Sequence, residues 1–228
     1  PYQINKMAGE MYSNFYFHHY GLKTVNCRFF NSFGPGEVPG QYRNVIPNFV
    51  YWSMQEKSLP LTGTGDETRD FTYVLDLVQG LIKAGYYEDA IGQAFNLASG
   101  KETKIKDMIS MVNNATGNTT PITKFPPRKW DTKKRLLASI DLAGKLIDYK
   151  PIISFDEGLK SNFDWFNNNW EIIQDVSWEN YEKVPQLIMA GYTIMIKEIF
   201  DQIENDSITH VFLQAGVGGM ASAMVAGI

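Results

Sequence analysis

An α/β fold is what this chain predicts, and three observations carry the prediction. Short β-rich runs alternate with stretches whose apolar residues recur at helical spacing, from Lys23 through to Asn169. Turn-forming residues punctuate the joints, most densely between Asn31 and Asn44, where Gly34, Pro35, Gly36, Pro39 and Gly40 occur together. A length of 228 residues, with 44% hydrophobic and 20% charged side chains, is ordinary for a globular protein and long enough for a real core.

Residues 2–20 are expected to form a helix that stops at Gly21, a residue suited to the left-handed turn that closes helices. Lys23–Phe30 is β-rich and reads as a buried parallel strand, and Asn31–Asn44 as loop. A helix over Val45–Gln55, a short strand over Leu59–Leu61 and a turn at Gly63–Gly65 follow. Arg69–Tyr73 is extended and leads into a helix over Val74–Tyr87, whose apolar residues keep helical spacing. Ala94–Leu97 reads as a strand, Lys104–Thr116 as a helix and Pro121–Pro127 as extended chain, before two helices over Asp141–Asp148 and Phe155–Asn169. No internal repeat or low-complexity linker interrupts this order.

Composition excludes several functions. A net charge of −4 gives no reason to expect nucleic acid or an anionic membrane as partner. The single cysteine, Cys27, rules out an internal disulfide and fits a reducing, cytoplasmic compartment. His18, His19 and His210 lack metal-ligand spacing, so no metal site is expected. Val211–Ile228 carries no charge, yet Gln214, Gly216, Gly218 and Gly219 break it into strand, glycine loop and helix start rather than a membrane span. Aromatic residues make up 14% of the chain, which suits a ring-stacking site and a dense core equally.

The chemistry starts at the first residues. Tyr2 and Lys6 are four apart, so on a helix they share a face. A fixed positive charge beside a phenol favours the phenolate, which suits proton removal from a hydroxyl at neutral pH. Asn31 follows a strand and opens a Gly-Pro turn, Asn44 precedes a helix, and Arg69 sits between a Gly-rich turn and Asp70. By themselves these read equally as a turn residue, an N-cap and a solvated or Asp70-paired arginine, and Arg128 with Asp131 as a surface ion pair.

Together the motifs at 1–6, 28–36, 43–49, 63–74, 95–100 and 128–131 resemble the extended short-chain dehydrogenase/reductases that act on nucleotide-sugars, over residues 1–170. The resemblance implies the C-terminal part of such an enzyme: a remnant of the NAD-binding Rossmann domain at 1–30 and a nucleotide-sugar lobe at 31–170. It makes Tyr2 the catalytic base and Lys6 the residue that holds the nicotinamide ribose. Asn31, Asn44 and Arg69 fall to the sugar diphosphate, and Arg128 and Asp131 to diphosphate and nucleoside ribose. The implied reaction is hydride transfer from a sugar carbon to NAD with proton removal by Tyr2. The leading outcome is 4-epimerisation of a UDP-sugar, with a dehydratase or decarboxylase, or a non-catalytic nucleotide-sugar-binding module, as alternatives. Family members are often homodimers. The family's Gly-rich dinucleotide loop does not occur before Tyr2, so this chain alone is expected to hold half an active site and to be inactive.

From about residue 171 the text changes. The runs at 173–185, 188–192 and 209–221 resemble diaminopropionate ammonia-lyase, a pyridoxal-phosphate enzyme of the tryptophan-synthase-like fold. That resemblance assigns Gly216, Gly218 and Gly219 to the loop that binds the cofactor phosphate. Lys183 and Lys197 do not sit in the motif of its Schiff-base lysine. Residues 171–228 are thus expected to be an ammonia-lyase-like fragment joined as a chimera, with a glycine turn required only by the backbone as the other reading.

Overall fold

The computed structural model describes residues 2–40, 43–129 and 133–169. Within them the elements run α1 (Tyr2–Tyr20), β1 (Asn26–Phe29), β2 (Ser32–Phe33), α2 (Val45–Met54), β3 (Pro60–Thr62), β4 (Thr68–Arg69), β5 (Thr72–Tyr73) and α3 (Val74–Tyr86). They continue through β6 (Ala94–Leu97), β7 (Thr103–Lys104), α4 (Ile105–Thr116), β8 (Thr123–Phe125), β9 (Arg135–Leu136), α5 (Asp141–Ile147) and α6 (Phe155–Asn168). The tail read as ammonia-lyase-like, with Gly216, Gly218 and Gly219, lies outside the described residues, and so does Asp131. Among the described residues no helix is long and apolar enough to cross a membrane.

The described chain divides into two units. In the first, residues 2–26 with 91–93, α1 is closed by Gly21 at φ +71°, whose N–H donates to the Phe17 carbonyl at 3.1 Å. The segment after it is tied back where the Thr24 hydroxyl donates to the Ser13 carbonyl at 3.2 Å. Gly92 donates to the Thr24 carbonyl at 2.7 Å, and a Cβ there would stand 2.5 Å from the Phe17 ring, so only glycine fits. No residue of α1 is buried. Ile4, Met7 and Met11 lie at spacings of three and four along it and are 69%, 66% and 70% exposed.

The second unit, residues 27–90 and 94–169, holds the core. In α2 the residues Ile46, Phe49, Val50 and Ser53 follow i, i+3, i+4, i+7, which puts all four on one buried face. The same logic buries Met108, Ile109 and Val112 of α4, and Leu159, Asn162 and Phe166 of α6, and these three helices pack together. Phe33 and Tyr73, brought side by side by the parallel β2–β5 pair, pack edge to face beside them. Gly158 lets α6 approach that pair, since a Cβ there would stand 2.7 Å from Tyr73 and 2.9 Å from Phe33. Ser154 and Glu157 cap α6 reciprocally in a capping box.

Two expectations need correction. The run Lys23–Phe30 forms a strand only over Asn26–Phe29, and it is half-exposed to exposed rather than buried. Among the described residues its sheet has two strands, β1 and β6. The loop Asn31–Asn44 contains β2, because Ser32 and Phe33 find partners in Thr72 and Tyr73. The run Arg69–Tyr73 is extended as expected and contributes to two strands. It breaks at Asp70, with β4 in a three-stranded sheet between β7 and β9 and β5 paired with β2.

Candidate functional site

In the first unit the Tyr2–Lys6 pair forms as the spacing predicts. Lys6 Nζ lies 5.4 Å from the centroid of the Tyr2 ring, and Tyr2 is 63% exposed. The phenol is thus open to solvent with a cation over its ring. Farther along α1, Met11, Asn14, Phe15, His18 and His19 line an open hollow, with the Phe15 and His19 rings stacked at 5.1 Å.

In the second unit Asn31 precedes β2, Asn44 bonds the backbone of β2, and Arg69 lies in β4, three residues before β5. Asn31 follows β1 with φ +28°, a conformation that asparagine tolerates better than most side chains. Its Nδ2 donates to the Asp70 carbonyl at 2.8 Å, and its own carbonyl accepts from the Thr72 N–H at 3.2 Å. Asn44 stands at the N-terminus of α2 but does not cap it with its side chain. Instead its Nδ2 donates to the Ser32 carbonyl at 3.2 Å and to the Glu37 carboxylate at 3.1 Å. Arg69 is half-buried in β4, opposite Thr103 of β7 and Leu136 of β9, and its Nη1 donates to the Thr68 carbonyl at 2.8 Å. Two separate bonds, Asn44 to Ser32 and Asn31 to Asp70, thus tie the residues flanking the start of β2 to the N-terminus of α2 and to the residue after β4. Arg128 is exposed, three residues beyond the end of β8.

Two participants escaped the sequence reading. Glu37 reaches both the Asn44 N–H, at 3.4 Å, and its side-chain amide. The signal was an acidic residue inside the Gly-Pro loop, seven positions before Asn44. Asp70 is wholly buried, and its carboxylate accepts from the Ser99 N–H (2.9 Å), Ser99 Oγ (2.6 Å), the Gly100 N–H (3.0 Å) and the Ala138 N–H (3.4 Å). A buried charge with four donors is well compensated. Nearby, burial first and then the carboxylates of Asp76 and Asp70 push the Tyr149 phenol up, so it stays neutral and donates to the Ala98 carbonyl. Burial also lifts the Cys27 thiol to about 12, which makes it a poor nucleophile.

Residues 1–98 match the model of the NAD dependent epimerase/dehydratase family. The chain is 32% identical over 181 residues to UDP-glucuronate 4-epimerase of Thermodesulfobacterium geofontis, an alignment that takes in 77% of this chain and 53% of that one. Among solved structures, an epimerase of Methanothermobacter thermautotrophicus is 51% identical with a TM-score of 0.76, covering 77% of this chain and 52% of that one. The enzyme WbmF of Bordetella bronchiseptica, solved with NAD+ and UDP, is 34% identical with a TM-score of 0.67, covering 77% and 55%. The chain thus spans about half the length of the relatives it matches, and shares with these structures an α/β, Rossmann-type fold. None of the three is an ammonia-lyase. Residues 1–98 are thus similar to the NAD dependent epimerase/dehydratase family.

Proposed function

We propose that this chain binds a UDP-sugar through Asn31, Asn44 and Arg69, with Arg128 and Asp131 toward the nucleoside end, and that it carries the proton-transfer pair of a UDP-sugar 4-epimerase. The observation that supports this reading best is that Asn31 bonds the backbone of Asp70, the neighbour of Arg69, while Asn44 bonds the backbone of Ser32, the neighbour of Asn31, since amides and a guanidinium are the donors a diphosphate needs. That WbmF was solved with NAD+ and UDP supports the ligand class, and the named 4-epimerase supports the outcome over dehydration or decarboxylation.

The cofactor of such chemistry is NAD, and Tyr2 and Lys6 fit it: an exposed phenol with an ammonium over its ring is the donor set for a ribose and a sugar hydroxyl. NAD, when bound, accepts a hydride from the sugar carbon and returns it. Tyr2 Oη would take the proton of the reacting sugar hydroxyl and return it to the same oxygen. Lys6 places its ammonium 5.4 Å from the centroid of the Tyr2 ring, where it would bond the ribose hydroxyls of the cofactor. Arg69, Asn31 and Asn44 hold the diphosphate end so that the sugar alone is left to turn.

Titration calorimetry with UDP, NAD and pyridoxal phosphate, each alone, tests the reading. UDP is expected to bind, and Arg69→Ala to weaken it about tenfold or more, because a charge-assisted contact is worth more than a neutral one. Asn44→Ala should cost less. Binding of pyridoxal phosphate without UDP would sink the proposal, and loss of affinity in Asn44→Ala but not Arg69→Ala would reverse the ranking of the two residues.

A further inference from the structure

The geometry points to Asp70 as the positioning residue of the diphosphate site, the group through which Arg69 and Asn31 are held in one arrangement. The inference rests on the nucleotide-sugar reading proposed above, but its grounds are separate. Arg69 sits in the middle strand of a three-stranded sheet, opposite Thr103 of β7 on one side and Leu136 of β9 on the other. The Asp70 carboxylate grips the same two neighbouring segments just beyond those pairs. Ser99 and Gly100, shortly before β7, donate to it at 2.6 to 3.0 Å, and Ala138, just after β9, donates at 3.4 Å. The strand carrying Arg69 is therefore clamped on both flanks by one side chain. From the opposite end of the same residue, the backbone carbonyl of Asp70 accepts the Asn31 Nδ2 at 2.8 Å. That bond fixes a side chain on a backbone already confined to φ +28°.

The chemistry of the clamp is specific to a carboxylate. Its two oxygens offer acceptor sites only, and every group facing them in these contacts is a donor. An amide at the same place would present its NH2 to N–H groups and could not serve both sides. Asp70 touches no ligand in this scheme. It acts by keeping Arg69 and Asn31 pre-aimed, which raises affinity by lowering the ordering that binding demands.

The test is a double-mutant cycle on the full chain, read by UDP calorimetry and thermal unfolding on Asp70→Asn, Arg69→Ala and the double variant. Asp70→Asn is expected to weaken UDP about tenfold, and the double variant to bind within about twofold of Arg69→Ala alone, because residues acting through one another do not add. A purely structural role would lower the unfolding temperature while the two losses multiplied, and that result, or unchanged UDP affinity in folded Asp70→Asn, overturns the proposal. Should Asp70→Asn fail to fold, Ser99→Ala removes only the hydroxyl donor and is expected to weaken UDP about two- to threefold, with the same non-additivity against Arg69→Ala. If the wild-type chain does not bind UDP, the nucleotide-sugar reading falls. Exchange of the Asn31 side-chain amide then judges the clamp alone: faster exchange in Asp70→Asn or Ser99→Ala supports it, and unchanged exchange overturns it.

Discussion

Glu37 is the side chain whose charge is expected to bear on the affinity of the proposed site. Its carboxylate accepts from the N–H and the Nδ2 of Asn44, at the start of α2, which is where the proposed function puts the diphosphate. A helix N-terminus favours negative charge, so Glu37 stabilises the empty arrangement and opposes an incoming anion there. Glu37→Gln is therefore expected to tighten UDP binding about three- to tenfold, most at low ionic strength where the repulsion is least screened. Calorimetry at two salt concentrations reads this directly, and weaker binding by the glutamine variant would show that the carboxylate helps rather than competes. Asn44 and Arg69 are site candidates only through the family resemblance, since by place alone they read as an N-cap and as a solvated or Asp70-paired arginine. The roles of Glu37 and Asp70 were not legible in the sequence, because they depend on which backbone N–H groups converge on a carboxylate, and no spacing in the sequence encodes that.

Elements obey the same divide. Helices with sustained apolar periodicity, such as α3 and α4, start and stop within about a residue of where the pattern predicts, as does the boundary uncertainty of helix ends in general. Two-residue pairings such as β7 and β9 leave no periodicity to read, and they form because Thr68 and Arg69 lie between them. Their joint is electrostatic as well: Glu102 receives Arg135 Nε at 2.7 Å and the Thr68 hydroxyl at 2.7 Å. The Arg135 guanidinium first, and then Thr68, hold the Glu102 carboxyl below its ordinary value. A lowered folded-state value means stabilisation that is complete above the unfolded value of about 4.3 and is lost as pH falls through the folded one. The pair is exposed, so the effect is small and screened. Wild type should melt slightly above Glu102→Gln at pH 7, and the gap should close on acidification below about pH 4. A gap that does not change with pH would remove the ion pair from the account. Packing gives a larger signal. Gly158→Ala forces a methyl against Tyr73 and Phe33, and overpacking of this kind costs about 1–3 kcal/mol. Denaturant titration should show the midpoint falling, whereas an unshifted midpoint would mean that α6 retreats at no cost.

Across the described residues, burial is divided unevenly. The second unit contains a contiguous apolar core in which Phe33, Ile46, Leu59, Met108, Val112 and Phe166 are almost wholly buried. In the first, α1 is 19 residues long and none is buried, with Ile4, Met7 and Met11 open along one stripe. Tertiary packing of a buried face normally supplies most helical stability, and α1 buries none of its residues. Opening α1 therefore breaks few buried contacts, while opening α2, α4 or α6 dismantles the core they share. Hydrogen exchange resolved by segment should follow this order. Amides of α1 are expected to exchange through local opening, at rates insensitive to a core substitution such as Phe166→Ala. Those of α2, α4 and α6 should exchange only through global unfolding and accelerate together in that variant, which removes a fully buried ring at a cost of about 3–5 kcal/mol. Protection of α1 equal to that of α4, and lost with it in Phe166→Ala, would mean that the helix carrying Tyr2 and Lys6 folds in one cooperative step with the core.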